Sequence, residues 1–153
     1  IVVDLLYGVL QMRSSPYKKI IFSNDYFSDS FIYYATKLGS GIFGFVIESD
    51  TSNTNYKKHQ NAVKKIVKNL KKNGIEESFL KVAINKEKMD LYIRNYSVSW
   101  MATMLASHEI IHGDYKTYFD TAQLYENINN EDIKRIANKY FINGYTLVLK
   151  PGD

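Results

Sequence analysis

Apolar residues along this chain recur in two rhythms, and the switches between them divide it into elements. In "IVVDLLYGVLQM", residues 1–12, Val2, Leu5, Leu6, Val9 and Leu10 share one face at helical spacing, so a helix is under way from the start. "RSSP" (13–16) interrupts it. Ser14 or Ser15 offers an N-cap, and Pro16 a first helical residue, for a short helix over 16–23. Residues 24–30, "NDYFSDS", read as a loop. The runs "FIYYATKL" (31–38) and "GIFGFVIES" (41–49) are rich in aromatic and branched residues, and "GSG" (39–41) between them predicts a β-hairpin.

The helical rhythm returns after the turn "DTSNTN" (50–55). In residues 56–74, Val63, Ile66, Val67 and Leu70 form one stripe, while Lys57, Lys58, Lys64, Lys65, Lys68, Lys71 and Lys72 cover the other sides. Gly74 ends this helix as a C′ residue. From Glu76 to His112 there is neither Pro nor Gly, which predicts one long helix, or two with a bend near 94–100. Gly113 ends that stretch, a short helix follows over 115–127, and another over 129–141. The last carries a cap at Asn129 or Asn130, acids at its positive end, and a stripe of Ile133, Ile136, Ala137 and Tyr140. "GYTLVLKPG" (144–152) reads as a closing strand stopped by Pro151. The order predicts an α+β domain: an antiparallel sheet of the hairpin and strand 144–150, with helices packed on one face.

Composition narrows the choices. The 153 residues, 45% of them hydrophobic, make one domain with a substantial core. There is no cysteine, hence no disulfide framework and no thiolate metal site. No apolar run suits a membrane span and no signal-peptide pattern opens the chain. The compartment stays open, with a cytoplasmic or organellar setting expected ahead of a secreted one. The absent initiator Met and the helix already under way suggest a piece of a longer protein. The net charge of +4 is concentrated on the lysine helix. Such a strip can bind phosphate backbones as a nucleic-acid module, but is more often a solvated face, and no aromatic interleaving or RNA-binding signature accompanies it.

"SHEIIHGDY" (107–115) holds the one stretch that spells out chemistry. His108 and His112 share a helix face at the spacing that offers two imidazoles to zinc, with Glu109 as base and Glu131 as a downstream third ligand. The opposite reading is packing. Met101 and Leu105 lie on the same stripe, the extended H-E-x-x-H-x-x-G-x-x-H form fails at Tyr115 and Tyr118, and Glu131 already suits a helix start. Locally the two readings stand level.

Residues 13–51 carry a resemblance that separates them. Ser14, Ser15, Pro16, Tyr17, Ile21, Phe22, Ser30, Phe31, Tyr33 and Gly44 fall on a pattern resembling the pitrilysin/insulinase family of inverted-motif zinc metallopeptidases. "YENINNEDIKRIANKYFINGYTLVLKPGD" (125–153) is similar to the end of that family's domains, with a capped helix, an Ala-x-x-Tyr-Phe turn and a strand closing on Pro. The resemblance implies a repeated α+β unit, paired into halves that enclose a chamber for unfolded peptides. Catalytic zinc then sits on an H-x-x-E-H motif that this sequence lacks. It implies that 1–153 is a single non-catalytic domain lacking its first strands, with no metal of its own. Zinc belongs in the catalytic domain of the parent or a partner chain. The partners implied are the remaining domains or a homologous subunit, and peptide substrate; neither a specific nucleic acid nor a membrane is implied. Phe22 stands where active members often place a substrate-gripping Arg, and Asp25-Tyr26 replace a Gly-Leu loop. The substrate-facing candidates that remain are Phe22, Tyr33 and Tyr34, with ordinary strand packing as the alternative for the tyrosines.

Overall fold

The computed structural model describes residues 1–12, 14–22, 27–37, 40–49 and 56–149, without the side chains of 21, 22, 27–30, 34, 36, 37, 40 and 49. Helix α1 (Val2–Gln11) is the spine of the core. Its predicted stripe is buried, with Leu5, Leu6 and Val9 fully enclosed and Leu10 nearly so. At about 1.5–3 kcal/mol for each side chain, this is a large share of what holds the domain together. The chain then turns through Ser15, whose hydroxyl accepts the Tyr17 N–H (3.2 Å), and α2 (Pro16–Phe22) begins at the proline. Ser15, of the two candidate caps, is the one that does the work.

Strands β1 (Phe27–Lys37) and β2 (Ser40–Ser49) form the hairpin as an antiparallel pair. Alternation sends Ile32, Phe43, Phe45 and Ile47 onto the helices, and leaves Phe31, Tyr33 and Ile42 exposed on the outer face. Phe43 meets Phe45 edge-on (6.0 Å between ring centres) and Phe141 beyond it (5.2 Å). The expected loop over 24–30 is corrected in its second half. Residues 27–30 belong to β1 because Phe27, Asp29 and Ser30 find partners in Ser49, Glu48 and Ile47; residues 24–26 lie outside the described part.

The lysine helix α3 (Tyr56–Asn73) buries Ala62, Ile66 and Leu70 against α7 (Asn130–Tyr140), which buries Ile133 and Ala137. Between α3 and α4 (Glu77–Arg94) the chain turns at Gly74, whose φ of +68° lies in the left-handed region that favours glycine. Any side chain there would also run into Asn130. The joint is cross-tied: Asn130 Oδ1 accepts the Ile75 N–H (2.8 Å), Asn130 Nδ2 donates to the Asn73 carbonyl (3.3 Å), and the Tyr17 hydroxyl donates to the Gly74 carbonyl (2.9 Å).

The long helical stretch is two helices. It breaks at Asn95–Tyr96, and Ser97 caps α5 (Val98–His112) by accepting the Trp100 N–H (3.3 Å). Gly113, at φ +71°, closes α5. The short helix expected over 115–127 divides into a 3-10 turn (Tyr115–Tyr118) and α6 (Thr121–Glu126). The expected closing strand is overturned for 144–149, where the chain is irregular. Tyr145, Leu147 and Leu149 stand out in solvent, and Thr146 is held by Gln60 of α3 (3.0 Å) instead of by a strand. Alternating residues make a strand only when a neighbouring edge accepts their hydrogen bonds, and among the described residues the sheet has two strands. Residues 150–152 lie outside the described part. The antiparallel pair with helices on its inner face is otherwise the α+β arrangement the pattern predicts. Among the described residues, no helix is long and apolar enough to cross a membrane.

Candidate functional site

On α5 the two histidines sit side by side, with ring centres 5.2 Å apart. Gly113 reverses the chain, so the residues after the helix return to these side chains. His108 Nδ1 lies 2.9 Å from Thr117 Oγ1, and the Thr117 hydroxyl itself donates to the Asp114 carbonyl (2.8 Å). Thr117 therefore accepts, the His108 proton is on Nδ1, and Nε2 is left as an acceptor. Burial, and secondarily the neighbouring His112, hold the His108 pKa below that of a free imidazole, which favours the neutral ring. The Glu109 carboxylate accepts the Tyr115 N–H (2.9 Å), and the His108 ring meets the edge of Tyr118 (5.3 Å). Two residues of the motif thus fasten the 3-10 turn to α5.

Glu131 is elsewhere. It opens α7, in the first turn capped by Asn129, and pairs with Lys134 (2.8 Å). Among the described residues, no three His, Asp or Glu side chains gather as metal ligands would. The zinc set of His108, Glu109, His112 and Glu131 is not brought together.

Of the hairpin candidates, Tyr33 stands on the exposed outer face, 49% accessible, across from Gly44. Tyr34 pairs in register with Phe43, and Phe22 ends α2; the side chains of both lie outside the described residues. On α3, Lys64, Lys65, Lys68 and Lys72 are exposed, and none of the four forms an ion pair among the described residues.

A feature with no signature in the sequence lies on the helical side. Residues of α1, α4, α5, the 3-10 turn and α6 surround a cavity of about 590 Å³, walled by Met12, Leu91, Met104, Tyr118 and Tyr125, with Glu87, Arg94, Trp100 and Thr121 among its polar groups. Two of these groups are orphans: Trp100 Nε1 and Thr121 Oγ1 are buried with no hydrogen-bond partner. Spacing could not flag them, because they come from different elements.

No family model matches the sequence, and no curated protein matches it. Solved structures do. A protease from Helicobacter pylori matches with a TM-score of 0.76 at 20% identity, over 92% of this chain and 34% of that one. The inactive peptidase domain of a candidate zinc protease from Bordetella parapertussis matches with a TM-score of 0.77 at 18% identity, over 92% of this chain and 76% of that one. This chain has the fold of a pitrilysin-type peptidase unit. The periplasmic protease PqqL from Escherichia coli extends the likeness, with a TM-score of 0.71 at 17% identity over 91% of this chain. The chain spans about a third of the Helicobacter protein and 15% of PqqL, so in those proteins its fold is one part of a larger whole.

Proposed function

We propose that this unit is a non-catalytic wall of a zinc metallopeptidase, which holds peptide for a catalytic unit elsewhere in the parent or a partner chain. The observation that carries the reading is the likeness to peptidase domains of zinc proteases, one described as inactive, in a sequence without H-x-x-E-H. The tying of His108 and Glu109 to the 3-10 turn supports a structural part for "HEIIH". Zinc is then a property of the catalytic unit, and this one has none of its own. PqqL is periplasmic, so a cysteine-free chain of this fold suits that compartment as well as a cytoplasmic or organellar one.

The hairpin is the surface that supports peptide contact. Each of its strands has an outer edge with no strand partner among the described residues. An extended peptide can add to such an edge through backbone hydrogen bonds, which are tolerant of sequence. Tyr33, with Phe31 on the same exposed face, supplies aromatic contact area. Tyr34 takes the alternate register position, opposite Phe43, so of the three candidates Tyr33 is the one this outer face supports. Phe22 is proposed only as a neighbouring contact from the end of α2.

The test is peptide turnover by the full-length enzyme. Tyr33→Ala should raise KM more than it lowers kcat, the mark of a contact made equally in ground and transition states. Glu109→Gln should leave turnover within a few-fold of wild type. A loss of about 10²-fold or more, as for a missing general base, would instead make "HEIIH" the active site.

A further inference from the structure

The charge on helix α3 has no counterweight. It carries seven of the chain's 20 basic residues and none of its 16 acidic ones, and no acid occurs between Asp50 and Glu76. The rest of the chain, with 13 bases against 16 acids, is net negative. At 3.6 residues per turn the seven lysines fall within a sector of roughly 140°, a ribbon along about 27 Å of helix. Helices α4 and α7 show the ordinary arrangement, in which Lys81 meets Glu77 (3.4 Å), Lys86 meets Asp90 (2.6 Å) and Lys134 meets Glu131 (2.8 Å). Opposite charges three or four apart support a helix; on α3 the same spacings join Lys64, Lys68 and Lys72, which repel. Lys57 and Lys58 add to the strain at the helix's positive end, where acids are favoured. Of Lys57, Lys64, Lys65, Lys68, Lys71 and Lys72, none forms an ion pair among the described residues.

Beside the ribbon lies an apolar row. Gln60 stands between Lys57 and Lys64 on one edge of it, and Gln60 Nε2 donates to Thr146 Oγ1 (3.0 Å). That bond holds the segment 144–149 against α3, with Tyr145, Leu147 and Leu149 out in solvent. The apolar stripe of α3 itself, Ile66 and Leu70, is enclosed in the core, so the helix has no hydrophobic face of its own to offer.

We propose that the α3 ribbon and the segment 144–149 form a docking surface for an anionic lipid bilayer, with the lysines on the headgroups and Tyr145, Leu147 and Leu149 in the boundary between headgroups and acyl chains. Cations beside apolar and aromatic side chains are what a charged membrane interface receives. A nucleic acid would use the lysines and leave the apolar row in water. No arginine on α3 offers the planar fork that grips one fixed phosphate; lysines are point charges on flexible stems, suited to headgroups that are themselves mobile. The surface lies on a membrane and does not cross it, in keeping with helices too short or too polar to span one among the described residues. It is remote from the hairpin in its chemistry and does not depend on the peptidase reading.

The test is sedimentation of the full chain with vesicles of phosphatidylcholine alone, and with vesicles carrying roughly 30% phosphatidylserine, at about 0.1 M salt. The anionic vesicles should capture it about 10²-fold more strongly, and that gain should vanish toward about 1 M salt, where charges are screened within about 3 Å. Lys64→Glu, Lys68→Glu and Lys72→Glu together should remove the gain. Leu147→Ser with Leu149→Ser should weaken capture about tenfold and leave its salt dependence in place. Both variants are compared with wild type at equal circular dichroism, and the comparison of the two vesicle types needs neither. Equal capture by both vesicle types, or none by either, overturns the proposal and leaves α3 a solvated face. Capture untouched by the leucine pair overturns it too, and a matching affinity for duplex DNA would then make the ribbon a general polyanion site.

Discussion

Asn129 accepts hydrogen bonds from the backbone N–H groups of Glu131 (2.9 Å) and Asp132 (3.2 Å), while Asp132 turns its carboxylate back onto the Asn129 N–H (3.3 Å). This reciprocal box satisfies donors that the first turn of α7 cannot satisfy itself. Asn129→Ala should cost about 1 kcal/mol of stability in a denaturant titration. The Arg135 hydrogen bond, and after it the Asn129 N–H, hold the Asp132 carboxyl below the usual carboxylate range. A pKa depressed by folding means stability that is complete above the unfolded value and is lost as pH falls through that range. Asp132→Asn should therefore flatten this part of the acid limb, and an unchanged limb would count against the box. The cap was legible in the sequence because Asn-x-x-Asp before an apolar stripe has a local cause. The partners of "HEIIH" were not legible. Thr117 and Tyr115 reach it only through the left-handed turn at Gly113, which spacing along a helix does not encode.

Helix α3 divides its labour cleanly between faces. Ile66 and Leu70 are fully enclosed, while Lys64 and Lys68 stand in solvent. Leu70→Ala should cost about 2–5 kcal/mol, because α7 cannot collapse into the space left. Reversing charge at Lys64, Lys68 and Lys71 should change stability by no more than about 0.5 kcal/mol. Nucleic-acid binding by the wild type should be weak and vanish as salt rises. Tight binding at physiological salt, abolished by the reversals, would instead make α3 a recognition surface. Elements such as this one were readable because burial on one face writes its period into the sequence. The segment 144–149 has a strand's alternation and no strand's geometry, since the period records a side-chain preference and the strand needs a second backbone. The early start of β1 fails to register for the converse reason: "FSDS" (27–30) is polar, and its place is set by β2 opposite.

For the molecule as a whole, the separation of Glu131 from the histidines gives a direct measurement. Protein purified without chelators should hold far less than one equivalent of zinc by elemental analysis. A stoichiometric zinc that disappears in His108→Ala would show that α5 and α7 come together in solution, and would restore the zincin reading. The fold class was visible at this scale from the order of periodic segments. The cavity was not, because Glu87, Arg94, Trp100 and Thr121 converge only after α4, α5 and α6 have docked.

The cross-tied joint at Gly74 bears on how the domain comes apart. Tyr17 and Gly74 are 57 positions apart in the chain, and Asn130 and Asn73 are again separated by 57. The turn at Gly74 is thus held from two sides, by Tyr17 of α2 and by Asn130 at the start of α7, and moving either helix away breaks hydrogen bonds at the same joint. Helix α7 is tied at its first turn as well as through its buried Ile133 and Ala137, and both oppose its local opening. In native-state hydrogen exchange, the amides of Gly74 and Ile75 and those in the middle of α7 should open with one free energy, close to that of global unfolding. If α7 exchanged faster by itself, the joint would be ornamental. If they move as one, a protease nick in the loop before α7 leaves the domain standing, held shut by residues from its beginning.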